Sequence, residues 1–260
     1  RSGPAATPPS PPSGASRNTG ALVQAAAQSR ASQRRARAIV GAVLWMLVLV
    51  PPTAAGVLLL SGARTRAVEL FIQRHIEPRL PDTTTLPEWT LTLELEQTLV
   101  LLTVALFGVA VALSIVASIV TPTAIARRII APIVVAGAVV PAWFGARNVL
   151  GALRNADVEA TAVGAMLLGL ALAGVVLGVW IGIGSTAGGL AAVPLVAFIA
   201  VLAPLAALGM IAIAGEVANP LVSGPARAIL ALHWVASIGL VAAAVLGGAM
   251  LARTATYRRS

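Results

Sequence analysis

Residues 160–215 read ATAVGAMLLGLALAGVVLGVWIGIGSTAGGLAAVPLVAFIAVLAPLAALGMIAIAG. None of these residues is charged, and the stretch is more than twice the roughly 20 residues that a helix needs to cross a bilayer core. Small and polar residues are concentrated in its middle, at Gly184-Ser185-Thr186-Ala187-Gly188-Gly189. We therefore predict two transmembrane helices, 160–183 and 190–214, joined at this segment.

The composition of the whole chain agrees with a membrane location. Hydrophobic residues make up 58% of the 260 residues, and charged residues make up 10%, against roughly 25% in soluble domains. The mean hydropathy is +0.92. The chain has no cysteine, which excludes a disulfide scaffold and a thiolate metal site. The fold class that follows is an all-α, polytopic integral membrane protein.

Charge-free windows elsewhere in the chain bring the predicted number of transmembrane helices to six. The N-terminal tail has no acid and contains a proline-rich run, which predicts disorder, whereas the Ala-rich part from about Gly20 also allows a helix. Prolines inside the apolar windows predict kinks at Pro51, Pro52, Pro141, Pro194 and Pro204. The predicted organisation is a disordered basic tail (1–37), a first span (38–62), an outer loop (63–96), a second span (97–120), a third (129–146), a fourth (160–183), a fifth (190–214), a sixth (228–252) and a basic C-terminal tail (253–260).

The charge distribution predicts how the chain is oriented. All 18 basic residues are Arg, and they lie at the ends of apolar segments rather than in a patch of the kind that binds nucleic acid. With the N-terminus inside, eleven Arg fall inside, and seven Arg with all nine acids fall outside. The positive-inside rule then places both termini in the cytoplasm. We expect a bacterial inner (plasma) membrane, and the Arg- and Ser-rich tail leaves an organellar membrane open.

The outer loop, 63–96, carries two patterns. Val68, Ile72 and Ile76 lie on one helical face, which predicts a short amphipathic helix over 64–76 at the membrane interface. Further on, apolar and polar residues alternate from Trp89 to Glu96. The alternation fits an exposed strand or the start of a helix, and the helix start is favoured because the chain offers no partner strand. A strand would make this segment a partner-docking site, through the apolar residues Trp89, Leu91, Leu93 and Leu95.

Glycine spacing marks one face of the predicted fourth span. Gly174, Gly178 and Gly182 recur every four residues, so they share a face along which a neighbouring helix can approach closely. We interpret this face first as internal helix packing, then as a subunit interface, and third as a narrow pore.

The segment after that span is a candidate helix break. An inter-helical turn is the default interpretation, and an unwound segment lining a substrate cavity, as in transporters, is the alternative. The segment lacks the Lys of a Walker-type phosphate loop. The residues concerned are Gly184, Ser185, Thr186, Gly188 and Gly189.

Residues that could carry chemistry are scarce in the predicted spans, which contain no Asp, Glu or Arg. His233 lies near the start of the last span beside Trp234, where an interfacial His is expected. We predict no catalytic residue, no metal site and no cofactor. Glu216, with Arg227 as counter-charge, is a candidate polar mouth for a cation or substrate, or simply a loop carboxylate.

Elimination then ranks two function classes. The first is a non-enzymatic integral membrane subunit or accessory factor of a larger membrane complex, packing through the glycine face and the outer loop. Its partners would be the lipid bilayer and other membrane protein subunits, without nucleic acid. The alternative is a membrane transport protein, or a permease component, for an apolar or lipidic substrate.

Overall fold

The computed structural model describes residues 14–76, 78, 93–155, 157–184, 205–207, 209–214 and 224–257. These residues form helices and short turns, and no strand occurs among them. The elements are α1 (Gly14–Leu47), α2 (Val50–Phe71) with a π-helical extension (Ile72–Ile76), α3 (Leu93–Val120), α4 (Ile125–Gly137), α5 (Val139–Asn155), α6 (Val158–Ile183), α7 (Leu205–Ala214) and α8 (Gly224–Tyr257).

Within the described ranges, five helical segments are long and apolar enough to cross a membrane, which indicates a membrane protein. They overlap the predicted first, second, third, fourth and sixth spans. The predicted fifth span, 190–214, lies outside the described residues except for the short helix α7, so the count of six remains a prediction. The five segments are Val23–Ile76, Glu94–Val120, Ile125–Leu153, Glu159–Ile183 and Arg227–Met250.

The N-terminal tail differs from the prediction of disorder. Helix α1 begins at Gly14, so residues 14–37 are helical and continue directly into the apolar part of the helix. Residues 23–37 are all exposed. Their helix therefore rests on the propensity of Ala, Gln and Arg rather than on packing. The proline-rich run that favoured disorder lies before this helix.

The structure also differs from the prediction at the start of the outer loop. Helix α2 runs through position 63 without interruption as far as Phe71, and the π-helical turn follows it. The face that α2 buries holds Ala63, Ala67, Leu70 and Phe71, whereas the expected face of Val68, Ile72 and Ile76 is half-buried. The reason is that this segment packs among other helices and does not float alone at the interface, so its neighbours decide which face is covered.

Two interruptions of the helices lie where proline predicts them. Ahead of Pro51 and Pro52, the Leu49 N–H donates to the Met46 carbonyl (3.0 Å), a bond one residue shorter than an α-helical one. Ahead of Pro141, the Ala138 N–H donates to the Val135 carbonyl (3.1 Å) in the same way. Proline lacks an N–H, and its ring displaces the carbonyl four residues earlier, so α1/α2 and α4/α5 are each one broken helix.

The bundle has two ends that differ in charge. The basic end carries Arg34 and Arg35 of α1 and Arg127 and Arg128 of α4. The polar end joins the end of α2, the starts of α3, α6 and α8, and the end of α5, and it carries charges of both signs.

Each half of the bundle has its own hydrophobic core. The core nearer the basic end is built around Trp45 and Phe107 with the alanines of α3, α4 and α6. The core nearer the polar end is built around Leu60, Leu150 and Met210. The broken helices contribute to both cores, with α1 and α4 mainly in the first and α2 and α5 mainly in the second.

Candidate functional site

The end of α2 carries a buried ion pair. Arg66 Nη1 lies 2.8 Å from Glu69 Oε2, one helical turn along, and Gln73 Nε2 donates to Glu69 Oε1 (3.2 Å). Arg66 Nε also donates to the Leu153 carbonyl in the last turn of α5 (3.2 Å). A guanidinium at the C-terminal end of a helix satisfies a carbonyl and complements the helix dipole. The pair therefore ties α2 to α5 at the polar end.

His75 provides a second connection at this end of the bundle. Its Nε2 lies 3.2 Å from the Ala214 carbonyl at the end of α7, so the ring N–H donates to that oxygen. His75 is half-buried and packs against Phe71, with ring centroids 5.3 Å apart. His75 is therefore not a solvated loop residue, because α2 and its π-helical extension continue far enough to bring it against α7.

A polar cleft of about 620 Å³ opens between α3, α5 and the start of α6. Its charged members are Glu96 from the first turn of α3, Arg147 from α5, and Asp157 from the turn before α6. Glu96 is buried, whereas Arg147 and Asp157 are exposed. Further lining residues are Gln97, Val100, Leu101, Trp143, Asn148, Gly151, Ala152, Asn155 and Ala160.

Local structure explains how two of these carboxylates are held. Asp157 is the N-cap of α6, where its side chain accepts from the Ala160 N–H (3.1 Å) and so satisfies a free donor of the first turn. Glu96 Oε1 lies 3.5 Å from the point that a Cβ of Gly151 would occupy. This is an ordinary van der Waals distance, and the Glu96 carboxylate therefore lies against α5 beside Gly151.

The cleft carries groups that can bind polar ligands. It offers carboxylate and amide acceptors together with guanidinium and amide donors, and none of the described residues that line it is a His or carries a hydroxyl group. Within the described part of the chain, no group of three or more His, Asp or Glu side chains could hold a metal ion. The cleft is therefore suited to recognising a polar ligand or the side chains of another protein.

The predicted glycine face of the fourth span packs against helices of the same chain. A Cβ at Gly174 would lie 3.3 Å from the Ala138 Cβ, and one at Gly178 would lie 2.5 Å from Val135 Cγ2 and 3.0 Å from the Ala131 carbonyl. At Gly182 the added Cβ would collide with the Trp45 ring. Because α4 and α1 cover these three positions, a partner helix cannot also pack there, and this part of the partner hypothesis is revised.

A second close approach, between α5 and α6, was not predicted. A Cβ at Gly164 would lie 2.7 Å from the Val149 nitrogen, and one at Gly145 would lie 2.9 Å from the Gly164 carbonyl. The sequence contains a signal for it in the small buried residues of α5, at Ala142, Gly145 and Ala146. Small residues at such spacings allow backbones to approach in a membrane.

The candidate helix break is described only at its first residue. Gly184 ends α6 with a left-handed φ of +72°, and its N–H donates to the Trp180 carbonyl (3.1 Å). An added Cβ there would lie 2.5 Å from Arg127 Nη1, so a cation lies at the C-terminal end of α6. The other predicted break residues, Ser185, Thr186, Gly188 and Gly189, lie outside the described residues.

The remaining predicted site residues lie far apart or outside the described ranges. Arg227 is exposed at the start of α8, while Glu216, Trp89 and Leu91 lie outside the described residues. Leu93 and Leu95 are in the first turn of α3, so the part of the alternating segment that is described is a helix start, and Leu95 is exposed.

His233 lies within the bundle near its polar end. It is buried, with Arg64 and the Leu60 backbone of α2 close to the ring, and it packs edge-on against Trp234 with ring centroids 5.8 Å apart. The ring therefore sits between α2 and α8.

A small apolar cavity lies deep in the bundle, away from the polar cleft. Its volume is about 40 Å³, room for roughly two or three water-sized groups. Apolar residues of α2, α3, α5, α6, α7 and α8 line it, among them Leu59, Phe107, Leu172 and Leu240. It offers no polar group to hold a substrate.

Comparison of the chain with protein families, curated proteins and solved structures finds no match.

Proposed function

We propose that this protein is a non-enzymatic integral membrane subunit or accessory factor of a larger membrane complex. The observation that carries the proposal is the contrast between the mainly apolar cores of the described helices and a polar cleft at one end. An ion or polar solute would need ionisable or hydrated groups at depth, because the bilayer core supplies neither water nor counter-charge.

Buried hydroxyl groups of α3 are occupied by their own helix. In α3 the buried Thr103 donates to the Leu99 carbonyl (2.8 Å), Ser118 donates to the Ser114 carbonyl (2.8 Å), and Thr121 donates to the Ala117 carbonyl (2.6 Å). Such bonds to a carbonyl one turn earlier use the hydroxyl hydrogen locally. In the described part of α3 they leave these hydroxyls poorly suited to form a polar path across the membrane.

The polar cleft is the surface that we assign to a partner. Its rim is apolar at Leu101, which is 61% exposed, and at Trp143, which is half-buried. Its walls carry Glu96, Arg147 and Asp157. Convergent donors and acceptors of both signs suit an interface in which complementary side chains of a partner meet them. The partner face should therefore present at least one basic and one acidic or amide side chain.

Transport of an apolar or lipidic substrate, the alternative drawn from the sequence, has weaker support. The apolar cavity of about 40 Å³ is far too small for an acyl chain, so the helices around it would have to separate before a substrate could enter.

The test is affinity isolation of the tagged chain from its native membrane in a mild detergent. We expect larger membrane proteins to co-purify with the wild type and with Arg227→Gln, a control at an exposed position of the polar end outside the cleft. The cleft variants Arg147→Gln and Glu96→Gln should lose these partners while remaining folded. Recovery of a solitary chain that moves a solute in vesicles would contradict the proposal.

A further inference from the structure

The basic end contains a cleft of about 500 Å³ lined by Arg34, Arg35, Pro122, Thr123 and Arg128. We propose that this basic cleft binds the phosphate group of an anionic phospholipid. This inference is independent of the proposed partner cleft, which lies at the opposite end of the bundle.

Three guanidinium groups from two helices line the cleft. Arg34 and Arg35 come from α1 and are exposed, and Arg128 comes from the first turn of α4. Arg128 Nε donates to the Thr123 carbonyl in the turn before α4 (3.0 Å), which orients its guanidinium. That bond uses one of five guanidinium donors, and guanidinium groups match phosphate oxygens in geometry as well as charge.

No acid compensates this charge within the segments that build the basic end. Residues 14–47, 113–135 and 175–184 contain no Asp or Glu. Arg127, the neighbour of Arg128, lies instead against Gly184 at the end of α6. The positive charge of the basic cleft is therefore available for an external anion.

The position of the cleft relative to the apolar segments selects a lipid as the source of the phosphate. Arg35 lies three residues before Ala38, where the apolar run of α1 begins, and Arg128 lies directly before Ile129. At a rise of about 1.5 Å per residue, these guanidinium groups lie at the level of the headgroups. Basic pockets between helices at this level are known to bind anionic headgroups.

Exposed apolar side chains continue from the cleft toward the middle of the membrane. On α1, Ile39 (64% exposed) and Val43 (52% exposed) follow Arg35 at intervals of four residues, so the three share a face. On α4, Ile129 (57% exposed) and Ile133 (63% exposed) follow Arg128. A lipid whose phosphate occupies the cleft could lay its acyl chains along these side chains, which a free phosphate ion cannot use.

The test is native mass spectrometry of the full chain in detergent, titrated with phosphatidylglycerol, phosphatidylcholine or inorganic phosphate. Phosphatidylglycerol should bind more tightly than phosphatidylcholine, whose choline cancels the phosphate charge. Arg35→Gln and Arg128→Gln should each raise the apparent Kd for phosphatidylglycerol about fivefold, the change expected for the loss of one basic residue near an anionic headgroup. Arg30→Gln, on the same helix but outside the cleft, and Arg227→Gln, at the other end, should leave the Kd unchanged.

Three results would overturn the proposal. They are equal affinity for the two lipids, an equal loss in the Arg30→Gln control, and saturation by inorganic phosphate at the same concentration as by phosphatidylglycerol. If Arg128→Gln fails to fold, the double variant Arg34→Gln/Arg35→Gln decides, because both side chains are exposed and their removal disturbs no packing. This double variant should raise the Kd by more than tenfold, and an unchanged Kd refutes the site.

Discussion

The two ends of the bundle use the same solution for packing and opposite solutions for charge. Toward the basic end, Gly178 lets α6 approach α4, and toward the polar end, Gly145 and Gly164 let α5 and α6 approach each other. The charges differ: Glu69 is buried and paired with Arg66 at the polar end, whereas Arg34 and Arg35 are exposed at the basic end.

This difference shows which charges belong to the fold. A carboxylate taken out of water must be paired, so Glu69 depends on Arg66 and Gln73, and the connection from α2 to α5 depends on the pair. The arginines of the basic end are exposed, so they need no such pairing within the chain. They are the charges that can orient the protein in the membrane or contact lipid.

The largest effect is expected from filling the glycine contacts in both halves. Gly178→Leu and Gly164→Leu should each abolish the folded protein, because backbone atoms of the facing helix lie 3.0 Å or less from the first added carbon and cannot move as a side chain can. Loss of the monodisperse peak in detergent size-exclusion chromatography is the measurement. A normal peak for only one of the two variants would show that the glycine contact in that half tolerates a larger side chain.

Removing one charge should lower the free energy of unfolding more at the polar end than at the basic end. Glu69→Gln should lower the free energy of unfolding by about 3 kcal/mol, because it leaves the partly buried Arg66 without its counter-charge. Arg35→Gln should change it by less than about 0.5 kcal/mol, because the side chain is exposed. Unfolding curves in a denaturing detergent give both values. Equal losses would mean that the basic end also depends on its charges for folding.

A glycine with open space around it provides the contrast to Gly178. No heavy atom lies within 4 Å of a Cβ built at Gly108 in α3, so Gly108→Ala should stabilise the protein by roughly 0.5–1 kcal/mol through helix propensity. Gly178→Ala should instead destabilise it by about 1–3 kcal/mol. The same unfolding experiment compares the two variants. A loss of stability in Gly108→Ala would contradict the open space around this residue.

The smallest effect on stability is expected from single cysteine substitutions. Labelling these cysteines tests directly how the two ends are oriented in the membrane. The chain contains no Cys, so Thr84→Cys and Thr256→Cys each introduce a single reactive group. We expect a membrane-impermeant maleimide to label Thr84→Cys on intact cells and Thr256→Cys only after permeabilisation. Labelling of Thr256→Cys alone on intact cells would reverse the predicted topology.

Some local features followed from the residues. The helix interruptions before Pro51 and Pro141 arise from the missing proline N–H, and the end of α6 at Gly184 arises from a residue that tolerates positive φ. The cleft around Glu96 did not follow, because Glu96 reads as an ordinary loop acid next to an apolar run. Only the meeting of α3 with α5 and α6 makes it a buried wall residue.

The sequence by itself determined that the chain is helical, that it can cross a membrane, and where proline interrupts its helices, because hydropathy, propensity and the missing proline N–H act within one segment. The tertiary structure decided which faces meet. Helix α6 is apolar on all sides, so its glycine stripe indicates a face for close packing but does not indicate that Ala131 and Val135 of α4 cover it. That choice depends on the fit between neighbouring helices, which only their assembly creates.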